Sequence, residues 1–266
     1  ATVGERVDGH RFIPDVFARG ALGAICEKLP QEPVGPCILV KDSFLALKQV
    51  GAYYRQLLNI PVVGITGSVG KTSTKEFIAG VLAQHFNVHK TAGNFNNEVG
   101  LPLTIGGITK ETEIAVLEMG INTFGEMHRL TEVARPDVCV MTNIGTCHLE
   151  NLIDRDGVLR AKSEIFDCMN PEGQVFVNGD DDKLITVKEV HGKKVITFGM
   201  DPDNDYLARV LENRGIFGTL AELFCGDEVY LADIRLPGEH MVYNALAATA
   251  VGRYYGLSKE EIEAGI

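Results

Sequence analysis

Residues 62–76 read VVGITGSVGKTSTKE. A short apolar run gives way to a glycine-rich turn, then to Gly70-Lys71-Thr72 and an amphipathic stretch. Glycines at a turn of this kind let backbone N–H groups face inward and approach phosphate oxygens closely. The helix that follows adds the positive end of its dipole. Lys71 stands where it can reach β- and γ-phosphates, and the Thr72 hydroxyl where it can ligate Mg2+. Gly67, Ser68, Val69, Gly70 and Ser73 complete the expected ATP-binding segment. The spacing departs from GxxxxGK[ST], because the residue five before Gly70 is Ile65, with Gly64 and Gly67 on either side. A strand-to-helix turn that merely uses glycines is the other reading. Strand, loop, Gly-Lys-Thr and helix in the required order favour phosphate binding.

Other residues could join that chemistry. Glu118 closes an apolar run, and open α/β sheets place ligand groups at strand ends. A carboxylate is a suitable hard donor for Mg2+, although a strand-end acid can also simply face water. His148 follows a further strand. Taken alone it reads as a hydrogen-bonded loop residue, since Mg2+ prefers oxygen donors. Lys162 alone reads as a solvated helix lysine. Asn96 and Asn97 lie in a Gly-flanked loop, either as turn residues that tolerate positive φ or as amide donors to a substrate. Thr142 and Asn143, at a strand end, are further candidates. His240 and Asn244 are four apart and share a helix face. The run Asp180-Asp181-Asp182 reads as a polar turn after a strand.

These residues need a frame. Residues 60–65, 113–118, 137–142 and 174–178 read as strands, and 71–85, 125–134 and 157–169 as helices. Continuous apolar strands alternating with helices predict an α/β fold with a central, mostly parallel sheet covered on both faces. From about residue 205, three short strands with glycine turns predict a small antiparallel patch, and 239–256 a helix stopped at Gly256. Residues 1–58 hold two possible strands (23–29 and 37–42) and a helix (44–58), and read as a partial small α/β N-terminal domain. The central ATP-binding domain is then 59–266. Ser258 and Glu261 form a capping box for a last short helix.

The bulk properties exclude several classes. The 266 residues carry 45 % hydrophobic and 23 % charged residues, a globular mix. A net charge of −11 leaves no electrostatic footprint for nucleic acid. Positive groups concentrated at one site can still hold an anionic ligand. No apolar run approaches the ~20 residues of a membrane helix, and ATVGERVDGH lacks the pattern of a signal peptide. Six cysteines without a CxxC pair read as free thiols in a reducing, cytoplasmic compartment.

TGSVGKTSTKE, TAGNFNNEVGLPLT (91–104), AVLEMGINTFGEM (115–127), TNIGTCHLE (142–150), LRAKSEIF (159–166) and LPGEHMVYNALAA (236–248) together resemble the Mur ligases, in family order. The NFNNEVGLP and GSVGKTSTKE forms, with DGHRFI at 8–13, are most similar to the MurF branch. The resemblance implies a monomeric ATP-dependent ligase that joins D-alanyl-D-alanine to UDP-N-acetylmuramoyl tripeptide through an acyl phosphate. It implies Mg2+ at Thr72 and Glu118, and a second Mg2+ at His148. It implies a catalytic, CO2-carbamylated Lys162 beside Lys71, substrate contacts at Asn96, Asn97 and Thr142, and His240 and Asn244 flanking adenine. Asparagine can read the adenine edge with paired donor and acceptor. Cys147 stands where the family commonly has alanine, and Met241 where it often has asparagine. On the family's three-domain template the chain is expected to lack the start of the first domain and all of the third. Three other readings stay open: a sister ligase of the family, a P-loop switch or kinase, and a binding module without catalysis. A switch would be expected to prefer GTP, yet the sequence has no NKxD-like guanine reader.

Overall fold

The computed structural model describes residues 1–4, 7–32 and 34–266. Thirteen strands and nine α-helices are described in chain order. The first part holds α1 (Ile13–Ala18), β1 (Ala24–Cys26), β2 (Cys37–Leu39) and α2 (Ser43–Leu57). Then follow β3 (Val62–Thr66), α3 (Lys71–Leu82), β4 (Val88–Lys90), α4 (Gly100–Gly106), β5 (Ile114–Glu118), α5 (Glu126–Ala134) and β6 (Val138–Met141). Next are α6 (Leu149–Leu152), α7 (Arg155–Ser163), β7 (Gln174–Asn178), β8 (Glu189–Val190), β9 (Lys193–Lys194) and β10 (Ile196–Gly199). The chain ends with β11 (Tyr206–Asn213), β12 (Thr219–Cys225), β13 (Glu228–Ile234), α8 (Met241–Tyr254) and α9 (Lys259–Gly265).

Nine strands form one sheet in the order β13-β12-β11-β10-β7-β6-β3-β5-β4. From β4 to β11 every neighbouring pair is parallel, and β12 and β13 extend the edge antiparallel. The expected antiparallel patch is thus the far edge of the main sheet. Strands β3, β5 and β6 are buried along their whole length, which explains their unbroken apolar sequences. Their side chains alternate between two cores. Val63, Ile65, Val116 and Val140 meet α3 and α8 on one face, while Val62, Leu117, Cys139 and Met141 meet α4, α5 and α7 on the other. Phe77, Ile78, Val81 and Leu82 are the buried stripe of α3, as their spacing predicts.

Strand β3 leads to β4 beyond β5, and its neighbour β5 leads to β6 beyond β3, so the connections leaving this pair diverge. That is a topological switch point, where the carboxyl ends of parallel strands open a crevice. The loop after β3, Glu118 at the end of β5 and Thr142 just past β6 therefore meet at one rim.

The expected boundary near residue 59 coincides with the connection from α2 to β3. Strands β1 and β2 form their own parallel pair. Helix α2, by contrast, packs on the central unit. Its Ala52 and Tyr54 join the α4–α5 core, and the Arg55 guanidinium donates to the carbonyls of Ala134, Leu58 and Arg135. The capping box at Ser258 is present, and the short α9 packs on α3 through the buried Ile262. The expected helix over 157–169 starts two residues earlier, at Arg155 behind the Asp154 cap, and ends sooner, at Ser163, where a 3-10 turn, Glu164–Phe166, takes over. Among the described residues no helix is long and apolar enough to cross a membrane.

Candidate active site

The loop between β3 and α3 is held open by backbone geometry. Gly67 has φ 151 and Gly70 φ 82. A Cβ on Gly67 would lie 1.9 Å from Thr142 Oγ1, so no other residue fits. The segment after β6 clamps the loop from outside. The Thr142 hydroxyl donates to the Val69 carbonyl at 2.6 Å, and Asn143 Oδ1 accepts the Val69 N–H at 2.9 Å. The Ser68 N–H bonds to the Asn143 carbonyl, and Ser68 Oγ accepts from the Gly145 N–H and the Cys147 thiol. The Lys71 ammonium folds back onto the carbonyls of Gly67 and Ser68, at 2.9 and 3.4 Å. It occupies the concavity into which a phosphate's oxygens would fit.

Beside the loop, the Thr72 hydroxyl donates to Glu118 Oε2 at 2.9 Å and the Asn96 amide to Glu118 Oε1 at 2.8 Å. Glu118 is 2 % exposed. Asn96, expected at the sugar substrate, donates to this carboxylate in the structure. Asn97 is exposed and its Oδ1 accepts the N–H groups of Val99 and Gly100, capping α4. Among the described residues no three His, Cys, Asp or Glu side chains converge on one point. Two protein oxygens, from Thr72 and Glu118, fit a Mg2+ ion that arrives with phosphate and keeps water in its remaining positions. They would not make a cage for a free resident ion.

His148 stands on the other side of the loop, next to Cys147. It adopts φ 56, rare for a residue with a side chain, and caps the short α6. It makes no side-chain hydrogen bond to a described residue. Lys162, on α7, is 2 % exposed and has no hydrogen-bond or ion-pair partner among the described residues. Burial, with the Lys71 ammonium nearby, brings its pKa down to about 8. In a chain of net charge −11, the Lys71 ammonium is thus near enough to Lys162 to disfavour its charged form.

A cavity of about 380 Å3 runs from the loop to α8. Val69, Gly70, Ser73, Thr142 and Asn143 form one wall, and Asn178, Phe198, His240, Tyr243 and Asn244 the other. His240 and Asn244 share this wall as expected from their spacing. The Asn244 amide is largely committed, since Oδ1 accepts from the Thr74 hydroxyl at 2.7 Å and Nδ2 donates to Met241 Sδ at 3.2 Å. The Tyr243 hydroxyl donates to Asp180 at 2.8 Å, and burial with that carboxylate pushes its pKa up to about 12. The other aspartates of that run make internal turn and ion-pair contacts, Asp181 with the Ile144 N–H and Asp182 with Arg155. That agrees with a polar turn.

Sequence reasoning did not single out Asn178, Phe198 or Tyr243. Asn178 ends the expected strand 174–178, so the strand-end rule that selects Glu118 would also have selected it, whereas Phe198 lies near the end of β10, which is too short to read from sequence. A larger opening, about 790 Å3 around Arg55, Arg135 and Asp137, lies at the amino ends of the strands. It is remote from the loop, and its buried guanidinium is already satisfied.

Comparison with known proteins adds the family. The Mur ligase middle domain matches residues 65–252. The UDP-N-acetylmuramoyl-tripeptide–D-alanyl-D-alanine ligase of Bacillus subtilis is 38 % identical over 265 residues, 99 % of this chain and 57 % of its own length. A crystal structure of MurF from Acinetobacter baumannii superimposes with a TM-score of 0.90 at 35 % identity, covering 100 % of this chain and 58 % of that one. MurF ligase from Thermotoga maritima, crystallised with ADP, gives a TM-score of 0.85 at 31 % identity, with 97 % of this chain and 60 % of that one covered. The chain thus spans a little under 60 % of the length of these relatives. With a family model matching most of its length, and with a glycine loop, strand-end carboxylate and α8 wall meeting at one rim, the chain belongs to the Mur ligase family.

Proposed function

We propose that the chain is part of an ATP-dependent ligase that joins D-alanyl-D-alanine to UDP-N-acetylmuramoyl tripeptide, the reaction for which its most similar relatives are named. The observation that carries this reading is the Glu118 carboxylate, gripped by Thr72 and Asn96 at the mouth of the phosphate loop. The loop's N–H groups and Lys71 receive the β- and γ-phosphates of ATP, and the cavity toward α8 receives the nucleoside between Asn178, Phe198, His240 and Tyr243. Mg2+, when bound with ATP at Thr72 and Glu118, neutralises charge as an anionic carboxylate approaches an anionic triphosphate. The tripeptide carboxylate attacks the γ-phosphorus, ADP leaves, and an acyl phosphate remains. The amine of D-alanyl-D-alanine then attacks the acyl carbon, phosphate departs, and the amine gives up a proton.

Lys71 tracks the transferring group in this scheme. Lys162 is carbamylated: the residue is 2 % exposed, its amine has no hydrogen-bond partner among the described residues and the Lys71 charge disfavours its cation, so conversion to an anion relieves both defects. His148 and the exposed amide of Asn97 face the substrate side, His148 as a second metal ligand and Asn97 as a donor. Thr142 acts through the loop, which it ties down. The reading carries with it a cytoplasmic, monomeric enzyme.

Phosphate release by the protein with MgATP and UDP-muramoyl tripeptide, with and without D-alanyl-D-alanine, tests the reading. Release that requires both substrates is expected. Release with a different amine moves the chain to a sister ligase, and a preference for GTP over ATP points to a switch. No release with any amine overturns the ligase reading.

A further inference from the structure

Lys75 is 1 % exposed, although a lysine is rarely so deeply buried. It lies on the same helix as Thr72, one turn further along. Its ammonium is 3.2 Å from Glu76 Oε1 and 3.9 Å from Glu118 Oε2. Glu76, nearly half exposed, is paired on its outer side with Lys90 of β4. A row of alternating charge therefore runs inward from the surface: Lys90, Glu76, Lys75, Glu118. Two cations balance two anions, and the row is neutral with no metal bound. Burying a charge is costly unless it is matched. Here the match for Glu118 is a fixed cation from the protein itself.

A divalent ion bound at Glu118 disturbs that balance. It competes with Lys75 for one carboxylate and is repelled by the ammonium behind it. A nucleotide's phosphates bring compensating negative charge. We propose that Lys75 is a positioning residue that makes divalent-cation binding at Glu118 depend on the nucleotide, so that metal and phosphates enter the site together. The proposal rests on the reading of Thr72 and Glu118 as the metal-bearing side of an ATP site. It gives the buried lysine a task that phosphate contact does not supply, because Lys71 already serves the loop.

The test is Mn2+ binding, followed by electron paramagnetic resonance on the nucleotide-free protein and again with ADP. Wild-type protein is expected to bind Mn2+ weakly alone and much more tightly with ADP. Lys75→Met, close in shape and uncharged, is expected to bind Mn2+ alone at least tenfold tighter, a lower bound because one charge about 4 Å away is worth roughly a thousandfold at an effective dielectric of about 20. Its gain on adding ADP should shrink by the same factor, and Lys75→Arg should restore wild-type behaviour. A merely structural lysine would lower the melting temperature and leave the ADP dependence alone. Glu76→Gln, at a surface position, releases Lys75 toward Glu118 and is expected to weaken Mn2+ binding several-fold, which serves if Lys75→Met does not fold. A folded Lys75→Met with unchanged Mn2+ affinity, or a Glu76→Gln with tighter binding, overturns the role of Lys75 alone. A wild-type protein with no ADP-dependent Mn2+ binding overturns the ATP-site reading as well.

Discussion

Lys162 is where burial and chemistry can be measured against each other. Its side chain is 2 % exposed, and its pKa falls from 10.5 to about 8 through burial and through the Lys71 ammonium. A depression of that size corresponds to about 3 kcal/mol of differential stabilisation of the neutral amine. The folded-state pKa lies below the unfolded one. The penalty is therefore fully present below about pH 8, where both states are charged, and fades as pH rises from about 8 to 10.5. At about pH 7.5, roughly a quarter of the folded molecules carry a neutral Lys162, against about one in a thousand for an ordinary lysine. The neutral amine is the form that attacks CO2, so the burial that destabilises the chain also favours the carbamate proposed above.

The perturbation is Lys162→Met with and without CO2. In CO2-free buffer near pH 7, Lys162→Met is expected to melt about 5–10 °C above wild type, from the ~3 kcal/mol penalty it removes. The gap should close toward pH 10. Bicarbonate should raise the wild-type melting temperature and leave Lys162→Met unmoved, and 13C-labelled bicarbonate should give a carbamate resonance in wild type only. A melting gap that is the same at both pH values would show that Lys162 pays no burial penalty. A wild-type protein that turns over fully with no carbamate signal would refute the modification.

Three further outcomes follow from the geometry. Gly67→Ala places a Cβ 1.9 Å from Thr142 Oγ1 at φ 151, and should abolish ATP binding by calorimetry while the protein stays folded; retained affinity would mean the loop does not hold phosphate. Lys71→Ala should abolish MgATP-dependent phosphate release, and unchanged turnover would remove it from the mechanism. Arg55→Met leaves the carbonyls of Ala134 and Arg135 and the Asp137 carboxylate short of a buried partner, and should cost about 3 kcal/mol by urea unfolding with nucleotide affinity unchanged.

The sequence carries the backbone of this site more fully than its side-chain contacts, and the reason is physical. A strand, a glycine turn and a helix are local, so residues 62–82 can be read from periodicity and glycine placement alone. The central strands were legible for the same reason, since burial on both faces leaves an unbroken apolar run. What local pattern cannot supply is which loop lies against which. Asn96 looks like a turn residue until β4 and β5 pair and bring Glu118 within 2.8 Å of its amide. Thr142 gives no local sign that its hydroxyl ties down the Val69 carbonyl of the loop. The short strands β4 and β10 and helix α4 escaped notice because they have too few residues to show a period.

Lys75 marks that boundary most sharply. The α3 sequence places it one turn beyond Thr72, so any environment that receives one receives the other. Nothing local says whether that environment is water, phosphate or a carboxylate. Sheet order decides it: β5 lies beside β3, its last residue is an acid, and the helix leaving β3 folds back over that end. A lysine whose environment the local sequence leaves open becomes a buried cation 3.9 Å from Glu118. The same strand pairing that buries the proposed metal ligand therefore also sets a cation beside it. A phosphate loop on another strand order could keep Lys71 and Thr72 unchanged and have no use for Lys75.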